Sequence, residues 1–355
     1  MCLKFSPAQG SLRIGDCMEK PTSNRNDSLD GMRLIAIFLI IFLHVQYDPL
    51  DFDGLMHVVR YCARWCVPFF FMLTGLYLKV GPAGLPDISL ERLRKSAMIA
   101  MVANLLFMPL AIYLGGVGVI SLYIIGSGVF FHLWFINSLV FCFVFLISVS
   151  PDGVDFRILL IGSVLGVLLV SYIDVLFQLD GNAWRPQFQL VRFLLATPLV
   201  VIGFSAPKIA PIVGKSGTIL LIVFGLLLMV IEAVVLLEFD IGFGSVQFPI
   251  GCFPFSLGLV LCLYRSPEIP GLKHLAGLGR RHALGIYILH PIALLAVKAA
   301  INKLGHPAPG EDSLGLIVAL IAGPATLAAL VVSDRLTPWF NRLLAGDWPP
   351  RRVGS

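Results

Sequence analysis

Ten runs of apolar residues, near 29–47, 58–80, 96–116, 129–149, 156–176, 189–205, 217–239, 246–264, 282–302 and 314–334, occupy most of this 355-residue chain. A helix needs about 20 such residues to cross the hydrocarbon of a bilayer. The runs therefore predict an all-α, polytopic membrane protein, a bundle of about ten transmembrane helices. Composition points the same way, with 57% hydrophobic and 13% charged residues, where soluble domains average about 25% charged. The connections and tails are too short for a soluble catalytic domain of about 100 residues, which places any chemistry in or at the membrane. The polar stretch up to Asp30 lacks the basic start and early apolar core of a cleaved leader, so the first run is expected to stay as a helix.

Cytoplasmic loops retain Lys and Arg. With the N-terminus inside, the inner segments carry 19 of the 26 basic residues and the outer loops only Arg185 and Lys303, while eight acids, among them Asp48, Asp180 and Glu311, fall outside. An even number of spans and two basic tails agree that both termini are cytoplasmic. The expected layout is a cytoplasmic N-terminal tail over 1–28, a transmembrane domain over 29–334 and a cytoplasmic C-terminal tail over 335–355. This asymmetry accounts for the net charge of +5 without a nucleic-acid partner. The seven cysteines lie mostly inside apolar runs, with no Cys-x-x-Cys pair and no metal-ligand spacing; they read as small buried hydrophobes, and no metal is expected.

Five basic residues remain within the runs: Arg33, Arg60, Arg64, Arg192 and Lys298. A charge at bilayer depth costs about 2.5–3.5 kcal/mol even on the insertion scale, so it faces a protein interior or a wet cavity, or snorkels to an interface. Lys298, near a helix end, fits snorkelling; Arg33 and Arg60 fit either reading, and Arg64 and Arg192 point to a polar cavity. On the first helix the step of 11 residues from Arg33 to His44 turns about 20° beyond three full turns and rises roughly 16 Å. The two share one face, and Asp30, three residues before Arg33, joins it. Such a stripe suits a transporter or a structural ion pair, and by itself it does not choose.

Five stretches, in order along the chain, do choose. Arg25, then Asp30-Gly-Met-Arg33 and the interval to His44, form an opening of a basic residue, Asp-Gly-x-Arg and Arg-x10-His. Pro68-Phe-Phe-Phe-Met-Leu-Thr74-Gly75 follows the pattern Phe-Phe-x-x-Ser-Gly, with Thr74 retaining the hydroxyl. Glu91-Arg92-Leu-Arg94-Lys95 is similar to a basic Arg-x-x-Arg element, with Lys95 in the second Arg position and Arg94 beside it. His132-Leu-Trp134-Phe opens the fourth run, and the stretch from Gly279 to Pro291 is similar to Gly-x-x-Ser-x-x-x-Tyr-x-x-His-Pro, with Ala283 for Ser and Gly279 one residue further from it than in the pattern. Together they resemble the acyltransferase 3 family of integral-membrane O-acyltransferases.

The resemblance implies transfer of an acyl group, usually acetyl, to a hydroxyl of a cell-surface or lipid-linked glycan in a bacterial cytoplasmic (inner) membrane. Acetyl-CoA would be a co-substrate, and no cofactor would be tightly bound. The catalytic residues would be His44, Arg33 and Asp30. An imidazole suits removal of a sugar hydroxyl's proton; alternatively His44 accepts the acyl group covalently. Arg33 would hold the donor's linking phosphate or orient the thioester, fixed by Asp30. Arg92, Arg94 and Lys95 would bind the phosphates of the acyl donor, although they also serve as the positive-inside signal. Acceptor binding would fall to Arg60 and Arg64, four apart on one face, with His132, Trp134 and Arg192 near outer helix ends. Tyr287 and His290 are expected to pack helices near Pro291. His44, beyond mid-membrane from Asp30, favours an acceptor on the outer side. The competing reading is a secondary transporter of a small polar or anionic solute, which Glu232 and interruptions at Pro68, Pro109 and Pro198 also suit. A scaffold without chemistry leaves the Arg33–His44 stripe unexplained.

Overall fold

The computed structural model describes residues 26–44, 58, 60–81, 84–115, 128–130, 132–149, 155–179, 193–238, 248–303 and 312–346. They are nearly all helical. Helix α1 spans Asp27–Leu43, and a 3-10 turn at Ala63–Trp65 leads into α2, Cys66–Leu76. Then come α3 (Leu90–Gly115), α4 (Trp134–Val149), α5 (Phe156–Leu179), α6 (Ala196–Glu238), α7 (Cys252–Arg265), α8 (Pro270–Lys303), α9 (Asp312–Leu336) and the short α10 (Pro338–Leu344). One antiparallel pair interrupts the all-α pattern: β1 (Lys79–Val80) against β2 (Pro86–Asp87), between α2 and α3.

Five helices are long and apolar enough to cross a membrane: α3, α5, α6, α8 and α9. Lipid-facing surface accounts for α5 and the second half of α6. Both leave Ile, Leu, Val and Phe side chains outward in long stripes, Ile158, Leu165 and Leu169 on α5 and Leu220, Phe224 and Ile231 on α6. Patches of that extent are rare on soluble monomers. By contrast α1, α2, α4 and α7 have 17, 11, 16 and 14 residues, short of the span expected for their runs. Of these, the C-terminal end of α1, the turn before α2 and the start of α4 contribute to the cavity described below.

Two boundaries differ from the sequence expectation for identifiable reasons. The sixth and seventh runs join in α6, broken at Gly214, whose φ of 65° and ψ of 179° no side-chain-bearing residue adopts readily. Arg265 at the end of α7 donates to the carbonyls of Ala210 and Gly214 and to the Thr218 hydroxyl, satisfying groups that the break releases. The ninth run, expected over 282–302, belongs to a helix that begins at Pro270. Residues 270–281 are amphipathic, with Leu272, Ala276 and Gly279 buried and Lys273, His274 and Arg281 exposed, so a search for apolar runs stops where the helix does not.

The start of α1 is docked rather than free. Asn26 caps it by accepting from the Leu29 N–H at 2.9 Å while donating to the Leu263 carbonyl at 2.6 Å. Ser28 accepts from Ile269 N–H through its hydroxyl and donates its own N–H to Pro267. Helix α8 then runs alongside α1 so closely that a Cβ on Gly279 would sit 2.0 Å from the Asp30 carbonyl, and one on Gly31 2.2 Å from that of Leu272. Only glycine permits this approach, as between membrane helices generally. Gly75 and Gly203 join α2 to α6 in the same way, each facing the other helix's backbone at 1.9 Å from a hypothetical Cβ.

Candidate active site

These contacts enclose a cavity of about 810 Å³ between α1, α2, α4 and α8. On α8 its wall runs from Gly279 and Arg280 through Ala283, Tyr287 and Pro291 to Lys298, a stripe at intervals of three and four residues about 28 Å long. On α1 it runs from Arg33 to His44. Of the sequence-predicted residues, Arg33, His44, Arg60, Arg64, His132 and Trp134 all line this one space. Arg192 lies outside the described residues.

One end of the cavity holds a charge network shared by two helices. Asp30, buried at 3% exposure, accepts from Arg33 at 2.7 Å through one carboxylate oxygen and from Arg280 at 2.8 Å through the other. Arg280 reaches Asp27 as well, at 2.7 Å. Both acids stand in the first turn of α1, where the helix dipole favours negative charge. The expected Asp30–Arg33 pair is therefore present, with a second guanidinium on the same carboxylate. The Arg33 guanidinium also lies over the Tyr77 ring, 5.2 Å from its centroid. Arg92 donates to the Tyr77 carbonyl at 3.2 Å, so the basic segment touches the site through that residue. Arg92, Arg94 and Lys95 themselves do not line the cavity.

The other end is assembled from the ends of helices. His44 is the C-terminal cap of α1. Arg60 donates to the Leu43 carbonyl at 2.7 Å, placing a cation at the negative end of α1. Arg64 sits in the 3-10 turn before α2, and Trp134 is the first residue of α4. Trp134 meets Phe248 edge-on at 6.0 Å between centroids, and Phe248 is also part of the wall. Thr74 lines the cavity while its hydroxyl donates to the Phe70 carbonyl within α2.

Three imidazoles meet at this end. The rings of His44 and His290 are 5.2 Å apart and nearly parallel, and those of His132 and His290 are 5.3 Å apart and nearly perpendicular. The Tyr287 hydroxyl donates to the His132 carbonyl, and His132 Nε2 lies 3.2 Å from the Ile288 carbonyl, so the segment opening α4 is tied to α8 at two points. Among the described residues no group of three His, Cys, Asp or Glu side chains is disposed to hold a metal ion. The site suits acid–base chemistry on an uncharged group, with cations at both ends for an anionic substrate.

Sequence reasoning missed Arg280 and the place of His290. Arg280 was counted only as a topology signal, because the helix was expected to start beyond it; the spacing 280, 283, 287, 291, 294, 298 carries the signal, as one helical face. His290 and Tyr287 were read as packing residues, and they do pack, but against His44 and His132.

A model of the acyltransferase 3 family, described as an acyltransferase domain, matches residues 26–334, the whole of the bundle just described up to α9. A serine/alanine racemase of Enterococcus gallinarum is 28% identical over 130 residues, covering 33% of this chain and 18% of that protein; the chain thus spans less than a fifth of that relative's length. No solved structure matches. With the family model covering nearly the entire chain, this protein belongs to the acyltransferase 3 family.

Proposed function

We propose that this protein is a membrane O-acyltransferase that moves an acyl group, acetyl from acetyl-CoA, to a hydroxyl of a cell-surface or lipid-linked glycan. The observation that carries this reading is one cavity in which Arg33 and Arg280 stand at one end and His44, Arg60 and Arg64 at the other, with Lys298 also in its wall. The helices are read as ten spans of a bacterial cytoplasmic membrane with both termini inside, on the strength of the basic inner segments. The Arg33 end then opens to the cytoplasm, where acyl-CoA is found, and the Arg60 end faces outward.

Arg33 and Arg280, oriented by Asp30 and Asp27, hold the phosphates of the donor, and Arg92, Arg94 and Lys95 gather the nucleotide portion outside the mouth. Guanidinium is suited to this task because its planar donors match phosphate oxygens. His44 takes the proton of the acceptor hydroxyl as the oxygen attacks the thioester carbonyl. When the tetrahedral intermediate collapses the C–S bond breaks, and His44 returns the proton to the departing sulfur. Arg60, Arg64, His132, Trp134 and Arg192 form the acceptor side, with the indole as a stacking surface for a sugar ring.

Mass spectrometry of surface glycans and lipid-linked sugars tests this, in cells with the gene, without it, and with His44→Ala. The expected result is a base-labile acetyl-sized increment only with the wild-type protein. Solute movement without consumption of acetyl-CoA would instead identify a transporter.

A further inference from the structure

Proline has no N–H, so Pro291 leaves the carbonyl of Tyr287, four residues earlier in α8, without its helical donor. His290 supplies the missing one. Its Nδ1 lies 2.7 Å from the Tyr287 carbonyl and 3.3 Å from that of Ile286. A carbonyl only accepts, so this nitrogen carries the ring proton and Nε2 carries the lone pair. The Tyr-x-x-His-Pro spacing thus sets one tautomer: proline releases a carbonyl, and the preceding histidine turns its proton back to it.

The consequence is a lone pair in an unusual place. His290 is fully buried, and its Nε2 has no hydrogen-bond partner among the described residues. Leaving a buried acceptor unsatisfied is costly, and a catalytic role is one of the reasons such a group persists. The group beside it is His44, whose ring stands 5.2 Å away at 21° to its own. His132 closes the other side and donates through Nε2 to the Ile288 carbonyl. His44 lines the cavity, and His290 stands directly behind it.

We propose that His290 is the positioning residue for His44. Its ring, stacked on that of His44, holds it against α8, and rotation of the His44 ring out of the stack, on taking the acceptor's proton, brings the second N–H to His290 Nε2. The inference rests on the acyl-transfer reading above. The hydroxyl O–H bond breaks as the new O–C bond forms, and the proton resides on His44, whose other N–H turns to His290 Nε2. On collapse the C–S bond breaks and His44 gives the proton to sulfur, leaving His290 neutral throughout. Hydrogen bonds of this kind tighten in the reacting complex rather than before it.

Two substitutions separate the tether from the acceptor. His290→Asn keeps an N–H donor at the Nδ1 position and deletes Nε2, whereas His290→Gln places an amide oxygen near the Nε2 position. The measurement is the initial rate of radiolabelled acetyl transfer from acetyl-CoA into the glycan and glycolipid fraction of membranes carrying each variant, at saturating and limiting donor, together with the thermal stability of the purified protein. The account expects His290→Asn to lower the maximal rate about 10–100-fold, the scale of loss when the hydrogen-bonding partner behind a metal-bound histidine is removed. KM for acetyl-CoA and thermal stability should stay as in the wild type, and His290→Gln should recover part of the rate. A rate for His290→Asn within about threefold of wild type, or equal losses in both variants with lowered stability, would overturn the role while leaving acyl transfer in place. Wild-type membranes that transfer no label would overturn the acetyl-transfer reading and this inference with it.

Discussion

Two sets of ionisable side chains stand at the depth of the apolar helices of this molecule, and they differ in whether they face a cavity. Asp174 on α5 and Glu232 on α6 turn their carboxylates to backbone. Asp174 accepts from the Phe248 N–H at 2.8 Å, and Glu232 accepts from those of Ile250 and Gly251 at 2.9 and 3.2 Å. These N–H groups lie at the entrance to α7, where no helical partner exists for them, so both acids serve as caps. Arg33, Arg60, Arg64 and Lys298 line the cavity, Arg33 while paired with Asp30 and Arg60 while donating to the Leu43 carbonyl. The contrast teaches that a charge within a membrane bundle marks a binding site only where it faces a cavity. Glu232, which suits a transporter when read from sequence alone, here holds the backbone N–H groups of Ile250 and Gly251.

The strongest way to break the comparison is to close the cavity. A Cβ at position 279 would lie 2.0 Å from the Asp30 carbonyl, so Gly279→Val is expected to prevent α8 from docking on α1 and to abolish folded protein, read by size-exclusion chromatography of detergent extracts. Next in size, His44→Ala should lower acyl transfer by about 10²–10⁴-fold, the usual contribution of a general base, with thermal stability nearly unchanged. At the acid-lined region the order reverses. Asp174→Leu should lower stability by about 1–3 kcal/mol, since the Phe248 N–H loses its acceptor, whereas Asp174→Asn, which keeps an oxygen there, should retain both stability and most of the transfer activity. Thermal denaturation with the transfer assay on the same preparations checks the pair. Smallest of all, Leu165→Ala on the lipid-facing surface of α5, a side chain 60% exposed, should change neither.

Much of this was legible in the chain. The Arg33–His44 stripe could be read because both residues lie on one helix, where spacing reports facing, and the structure keeps them on one wall. The family resemblance drew on the same residues and on four more stretches, three of which contribute to the cavity wall. What escaped notice depended on contacts between distant segments. Arg280 reaches Asp30 across 250 residues, and His290 meets His44 across a similar distance, a juxtaposition that no local period encodes. The roles of Asp174 and Glu232 were hidden for a related reason: their partners are backbone N–H groups, which no side-chain pattern announces. Arg60 shows the limit within one residue, since its charge left a cavity and snorkelling open while its place on the wall and its bond to the Leu43 carbonyl came only from the geometry.

The most direct measurement compares acetyl transfer from labelled acetyl-CoA to membrane glycans by wild-type protein, His44→Ala and Asp174→Asn, each verified as folded. The account expects label in the wild type and in Asp174→Asn and none above background in His44→Ala. Transfer that survives His44→Ala, or is lost only in Asp174→Asn, would contradict the assignment of the base-lined cavity as the site of chemistry.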